Sequence, residues 1–360
     1  MINIVRKEIK PLNYEVMEIV RDKVDSLAKP IGSLGKLEDI VIKLSGITGK
    51  IKNTIHKKGI IIMSSDNGVV EEGVASAPQY VTLAQTKNFI RGKTGVAALS
   101  KVNDTDLIVI DVGINSDEVI PNVINKKIRK GTSNIYKGRA MSYEEAIRAI
   151  NIGIEATKKA KDDGYDVIGV GEMGIGNTTT SSAVLLSMLD CNLEDIVGKG
   201  GGITLSSFEK KKEVVRKSIE INNIDFKDPI DIVSKVGGFD IAAMAGVFLG
   251  AAYYRVPVVV DGFISAVAAL LASRINPLVK GFLFPSHKSA EIGYNAIMED
   301  LELSPMVDLD MRLGEGSGCP IALSIMEFAI GMLNNMATFE EANIDDSYIE
   351  EVKGKENYIV

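Results

Sequence analysis

Residues 165–181 read YDVIGVGEMGIGNTTTS, an apolar β-branched run that passes into glycines, one carboxylate, one amide and a row of hydroxyls. Such a run without polar alternation suits a strand buried on both faces, and the hydroxyl-rich end suits the start of a helix. The strand-like pattern recurs at GIIIMSSD (59–66), DLIVIDVG (106–113) and VPVVVDG (256–262). Between these runs lie stretches of helical period such as SYEEAIRAINIGIEATKKAKDDG (142–164). Strands separated by helices imply a parallel sheet covered on both faces, so the pattern predicts an α/β fold with a Rossmann-like, doubly wound sheet.

The ends of the chain read differently. Residues 1–50 and about 290–360 are helical in pattern and strand-poor, and DKVDSLAKPIGSLGKLEDIVIKLSGITGK (22–50) gives two helices around a Pro/Gly turn. The expectation is a small helical domain built from both termini, with about 51–290 as the large α/β domain. IAAMAGVFLGAAYY (241–254) and GFISAVAALLAS (262–273) fall short of the roughly 20 residues that span a bilayer. They read as buried helices.

With 360 residues, 46% hydrophobic and 25% charged, the chain is long enough for one large core and an appendage. Its formal charge of −7 disfavours nucleic acid or an anionic membrane as the main partner, since both attract basic faces. Small molecules are the expected ligands. Two cysteines, Cys191 and Cys319, are too few for a disulfide framework or a zinc site. The start, MINIVRKEIKPLNYEV, has no apolar core of a secretory signal, which places the protein in the cytoplasm.

In a sheet of this kind ligands bind beyond the carboxyl ends of the strands. Four loops qualify: SSDNGVVEEGVASAPQYVT (64–82), DVGIN (111–115), GEMGIGNTTT (171–180) and DGFIS (261–265). The third admits three readings. GVGEMG matches a dinucleotide fingerprint, although no carboxylate ends a second strand about 20 residues on. The amides of GIGN with the hydroxyls of Thr178, Thr179 and Thr180 suit an anion nest at a helix start. Otherwise the glycines serve close strand and helix packing.

Further on, GKGGGIT (198–204) precedes a basic run, Lys210, Lys211, Lys212, Arg216 and Lys217, which is either a solvated helix face or a phosphate counter-ion. MRLGEGSGCPIALSIM (311–326) sets Glu315 between Gly314 and Gly316 ahead of an apolar helix. That carboxylate either caps the helix or acts as a base that glycines let a substrate approach. His287 reads as a structural histidine, and Asp261 and Asp111 as either pocket lining or loop caps.

Taken in order, KPIGSLGKLED, SSDNGVVEEGV with PQYVT, GVGEMGIGNTTTSSA, GGFDIAAMAGVFLGAA, VPVVVDGFIS, SHKSAE and RLGEGSGCPIAL resemble the nicotinate-nucleotide:dimethylbenzimidazole phosphoribosyltransferase family over about residues 30–332. The resemblance implies a homodimer that moves phosphoribose from nicotinate mononucleotide to a lower-ligand base of a cobamide, leaving an α-ribazole phosphate and nicotinate. It makes Glu315 the catalytic base and assigns Glu172, Gly174, Ile175, Gly176, Asn177 and Thr178 to the phosphoribosyl pocket. Leu313 and Gly314 flank the base, Asp261 lines the pocket, Lys211 reaches the phosphate and Gln79 lies along the base pocket. Ala77 stands where the family commonly has an aromatic wall, which leaves the accepted base open.

That chemistry fits the residue inventory. The ring nitrogen of nicotinate mononucleotide already carries positive charge and leaves as a neutral pyridine, so no general acid is needed. A single monophosphate calls for no metal, and no cofactor is implied. What remains is to hold the sugar, favour an oxocarbenium-like centre and take a proton from the attacking azole. Glu172 near C1′ would favour the developing positive charge. Two other classes stay open: an NAD-dependent dehydrogenase, and a nucleotide-sensing module without turnover.

Overall fold

Eight consecutive buried residues, Lys58–Ser65, form the first strand, β1, of this computed structural model, which describes residues 1–347. Helices α1 (Ile2–Glu8), α2 (Tyr14–Asp25) and α3 (Lys36–Thr48) precede it. After β1 come α4 (Tyr80–Ile90), α5 (Gly95–Ser100), β2 (Thr105–Gly113), a two-residue β3 (Ile124–Asn125) and α6 (Tyr143–Asp162). Next are β4 (Val167–Met173), α7 (Asn177–Met188), α8 (Leu193–Ile196), α9 (Leu205–Ile221), α10 (Pro229–Val236) and α11 (Phe239–Tyr254). The described elements close with β5 (Val258–Val260), α12 (Phe263–Ile275), β6 (Leu283–Pro285), α13 (Tyr294–Leu301) and α14 (Cys319–Asn335).

The six strands are parallel and ordered β3-β2-β1-β4-β5-β6. The order reverses between β1 and β4, and a crevice opens at such a reversal because the loops leaving the two strands diverge. β3 and β6 are too short to announce themselves as β-branched runs. The expected helix at 142–164 is α6, started by a capping box between Ser142 and Glu145. It packs on α11, which is buried from Phe239 to Ala252. Glycines make that approach possible: a Cβ on Gly153 would lie 1.9 Å from the Ala243 carbonyl oxygen, and one on Gly246 2.0 Å from that of Ile150.

The chain divides into two compact units, Met1–Lys10 with His56–Ala322, and Pro11–Ile55 with the residues from Leu323 onward. The sheet lies wholly in the first. In the second, Asn13 caps α2 by accepting from the Val16 N–H, a single antiparallel bridge joins Leu27 to Thr338, and a buried Lys29–Glu38 ion pair spans 2.9 Å. The expected boundaries at 50 and about 290 therefore shift. Residues 1–10, with α1, and residues 290–322, with α13 and the RLGEG loop, belong to the α/β unit. The cause is visible for α1: Ile2 and Val5 are buried and the helix contacts α6 and α11. The final part of the expected small domain, residues 348–360, lies outside the described residues.

Candidate active site

A cleft of about 250 Å³ lies in the α/β unit at the β1/β4 reversal. Val74, Ala75 and Ser76 after β1, Val81 and Gln85 on α4, Glu172–Thr178 from the end of β4 into α7, Gly262–Ser265 after β5 and Arg312–Glu315 before α14 all contribute to its lining. Most of the loops expected from the sequence thus meet at one place.

Glu315 sits in a run of left-handed residues, with φ of +84° at Gly314, +66° at Glu315 and +87° at Gly316. A non-glycine residue there costs of order 1 kcal/mol or more and persists only where its surroundings impose it. The surroundings are visible. Asp261 accepts from the N–H groups of Gly316 at 3.0 Å and Gly318 at 2.7 Å, which pins the loop to the end of β5. The segment then lies flat on β4, because Cβ atoms on Gly169 and Gly171 would come within 2.7 Å of Cys319 Cβ and 2.4 Å of the Glu315 carbonyl oxygen. These are two of the three glycines of the dinucleotide-like GVGEMG. The third, Gly174, admits Asp240 and the Ser65 carbonyl. The match is a packing pattern, and no pyrophosphate cradle is formed from it.

The Glu315 carboxylate accepts from Gln85 Nε2 at 3.1 Å and from the Val96 N–H at 3.2 Å. Asn88 Nδ2 in turn donates to Gln85 Oε1 at 2.9 Å, which fixes the amide so that its N–H faces Glu315. Burial raises the Glu315 carboxyl above the ordinary range, and the Val96 and Gln85 donors oppose that. Glu315 therefore does not cap α14; its carboxylate meets the start of α5 at the Val96 N–H.

Glu172 ends β4 with its side chain buried. It accepts from Asn177 Nδ2 and, at Oε1, from the Glu315 N–H at 3.2 Å. The same Asn177 Nδ2 donates to Oδ2 of Asp240 at 3.0 Å, so one amide bridges two carboxyls. Burial pushes Glu172 up to about 8 and Asp240 up to about 6, and in Glu172 the charge of Asp240 adds to the rise while Asn177 opposes it.

On the remaining side Thr178, Lys199, Gly200, Gly201, Ser289, Glu291 and Arg312 line the cleft. Lys211 does not. It is buried on the stripe Lys211, Val214, Val215, Ser218 of α9, and its Nζ donates to Thr178 Oγ1 at 3.0 Å and the Gly198 carbonyl at 2.9 Å. Loss of hydration lowers its pKa to about 8, against the opposing charge of Glu291. Lys210, Arg216 and Lys217 are the solvated part of the run.

Several expectations need correction. The anion nest of GIGN is partly spent within the protein: the Ile175 N–H donates to Thr82 Oγ1 and the Asn177 N–H to the Gly174 carbonyl. Thr179 and Thr180 are buried in α7, and of the three threonines only Thr178 reaches the cleft. Gln79 is not in the lining and accepts from Asn115 Nδ2 at 3.1 Å. Val81 and Gln85, four apart on α4, share the face toward the cleft, and a residue two before Val81 points elsewhere. Ala77 is likewise outside the lining, where Val74, Ala75, Ser76 and Val81 stand. Asp111 is a loop cap that accepts from the Gly113 and Ile114 N–H groups. Asp261 both lines the cleft and holds the Glu315 loop, and His287 lies 3.9 Å from it.

Sequence reasoning missed Gln85, Asp240 and Arg312. Asp240 carried a signal, as the one charge inside the most apolar helix, where an ionisable group needs a partner. Among the described residues no His, Cys, Asp and Glu cluster has metal-holding geometry, and no helix is long and apolar enough to cross a membrane.

Comparison with known proteins shows the family of the chain. A phosphoribosyltransferase family model matches residues 9–344. A Clostridium perfringens protein named nicotinate-nucleotide–dimethylbenzimidazole phosphoribosyltransferase is 66% identical over 360 residues, the full length of both chains. A Clostridium acetobutylicum protein of the same name is 51% identical over 339 residues, 94% of this chain and 96% of that one. The crystal structure of the Thermus thermophilus enzyme of that name superposes with a TM-score of 0.88 at 34% identity, covering 93% of this chain and all of the other. With matches that run the length of the chain, this chain belongs to the nicotinate-nucleotide–dimethylbenzimidazole phosphoribosyltransferase family.

Proposed function

We propose that the cleft transfers 5-phosphoribose from nicotinate mononucleotide to a lower-ligand base, dimethylbenzimidazole or a related one, giving α-ribazole 5′-phosphate and nicotinate in cobamide biosynthesis. The bond from C1′ to the pyridinium nitrogen breaks with its electron pair going to nicotinate. The azole nitrogen of the base bonds to C1′, and its proton passes to the Glu315 carboxylate.

The observation that carries this reading is Glu315 itself. Its carboxylate is oriented by Gln85 and by the Val96 N–H at the start of α5, its backbone is held in a strained conformation, and it does not cap α14, the apolar helix that follows it. Raised above the ordinary carboxylate range, it is a better base than an exposed glutamate. Glu172 and Asn177 take the ribose side. The pyridinium charge of the donor and the positive charge that grows at C1′ draw the proton off Glu172, whose ionised form then stabilises that centre. Thr178, with Lys211 behind it, and the Gly200–Gly201 backbone with Lys199 and Arg312 receive the phosphate; Gly174, Ile175 and Gly176 let the sugar approach. Leu313, Val74 and Val81 give the base an apolar wall.

The dehydrogenase alternative loses its footing, since the glycines it needed are occupied by the Glu315 loop and Asp240. The cytoplasm and a homodimer remain our reading, on the composition and the resemblance respectively, and sedimentation of the purified protein tests the second. The test of the function is incubation with nicotinate mononucleotide and a panel of benzimidazoles, purines and phenols, with products separated and identified. Nicotinate release with a matching α-nucleotide is expected; binding of the mononucleotide without any transfer would leave the sensing module as the better reading.

A further inference from the structure

Asp240 does not line the cleft, yet it is the most thoroughly enclosed carboxyl near it. It lies in the first turn of α11 with 0% exposure; Oδ2 accepts from Asn177 Nδ2, and the Asn67 amide and the N–H groups at the helix start also favour its ionised form. Burying a carboxyl this way is costly, and an apolar residue would suit the helix better. The protein has made room for it. A Cβ on Gly238 would lie 2.3 Å from Asp240 Oδ1, and one on Gly174 2.7 Å from Oδ2. The start of α11 favours a carboxyl, but an exposed one would serve that end as well.

We infer that Asp240 is a positioning residue for phosphoribosyl transfer: through the shared amide of Asn177 it orients the Glu172 carboxyl toward the sugar and couples the charge of Glu172 to its own. The inference rests on the role given above to Glu172. Asn177 has one Nδ2 and spends it on both carboxyls, so its rotamer is set from two sides. Two carboxyls held by one donor in a water-poor site do not ionise independently, and the second to lose its proton is held back by the first. The groups facing Glu172 are Asp240 from α11, Asp261 from the end of β5 and the Glu315 loop, whose N–H favours the ionised form; Lys199 and Arg312 also line the cleft. Asp240 is thus the neighbour that adds negative charge while sharing the donor. In the free protein burial, with the charge of Asp240 added to it, keeps a proton on Glu172, and the cationic donor substrate is what releases it.

The experiment is the pH dependence of kcat/KM for nicotinate mononucleotide in the wild type, Glu172→Gln and Asp240→Asn. The wild type should show activity rising with pH toward a limb near the value set by Glu172, and Glu172→Gln should abolish that limb. Asp240→Asn removes the neighbouring charge and should move the limb down by about one pH unit or more, with kcat reduced more than KM is raised. If Glu172→Gln keeps the limb, the role given to Glu172 fails. If the limb belongs to Glu172 but Asp240→Asn leaves it in place, the coupling fails and Asp240 is a packing residue. Should Asp240→Asn not fold, carboxyl ¹³C resonances of the wild type decide the matter. Each of the two carboxyls should then show an inflection at the other's step, and a single independent step for Glu172 would overturn the inference.

Discussion

The backbone N–H of Glu315 donates to Oε1 of Glu172 at 3.2 Å, so the main chain of one carboxylate is a ligand of the other. The proposed base and the proposed sugar-side carboxyl therefore cannot shift independently. Replacing the Glu315 side chain leaves that link in place, and this allows the chemistry to be tested apart from the architecture.

Glu315→Gln should fold, bind nicotinate mononucleotide and lose roughly 10²- to 10⁴-fold in turnover with an azole base, the usual worth of a positioned base. The loss should fall on kcat, and a phenolic base, partly ionised already, should suffer less as pH rises. Single-turnover rates and thermal unfolding on the same sample check this. A variant of lowered stability and full activity would return Glu315 to a structural role.

Glu315→Gly asks about strain. The native φ of +66° is one that glycine adopts freely, which is worth about 1 kcal/mol in favour of the variant. Its unfolding midpoint in urea is expected to equal or exceed that of the wild type although transfer is lost. A drop beyond about 1 kcal/mol would mean that the Gln85 and Val96 hydrogen bonds outweigh the strain.

Gly171→Ala places a methyl group 2.4 Å from the Glu315 carbonyl oxygen, and backbone cannot yield as a long side chain would. The loop must lift from β4, and a displacement near 1 Å at the reacting groups costs on the order of 10²-fold in rate. Steady-state kinetics beside circular dichroism should show a folded protein with a collapsed kcat/KM.

The buried carboxyls also set a pH dependence of stability. Glu172 rises from 4.5 to about 8 and Asp240 from 3.8 to about 6 on folding, so the folded state holds protons that the unfolded chain releases. Their contribution is complete below about pH 4 and is lost as pH climbs through about 8. Urea midpoints between about pH 5 and about pH 8 should fall more steeply for the wild type than for Glu172→Gln, and equal slopes would contradict the raised value.

The apolar wall of Leu313, Val74 and Val81 carries no aromatic ring, and Phe263 lines the cleft from beyond β5. Acceptor bases should be discriminated by only about 10- to 200-fold, as expected where a single apolar contact differs. Competition between pairs of bases for limiting nicotinate mononucleotide measures this directly; a preference beyond about 10⁴ would require a specific polar contact.

The strands β1, β2, β4 and β5 were legible because each is an unbroken β-branched run, and α6, α11 and α12 because their apolar patterns are long. β3 and β6, at two and three residues, carry too little pattern to be read. Glu315 and Glu172 stood out as lone carboxylates among glycines. The meaning of those glycines did not, since only the folded chain shows that Gly169 and Gly171 make room for a segment nearly 150 positions away. The sequence leaves Lys211 between a solvated helix face and a phosphate counter-ion, and its place on the buried stripe with Val214, Val215 and Ser218 removes the first. Gln79 and Gln85 both lie near the same loop, and helical phase alone separates them.

The reversal of strand order between β1 and β4 divides the cleft by ancestry of its walls. Val81 and Gln85 arrive on α4, which leaves β1, whereas Glu172, Asn177 and Asp261 arrive from β4 and β5. Substitutions along α4 can therefore reshape what the acceptor meets while the hold of Asp261 on Gly316 and Gly318 stays intact. A lineage confronted with a new aromatic base can retune Val81 on that helix and inherit the buried carboxylates unchanged.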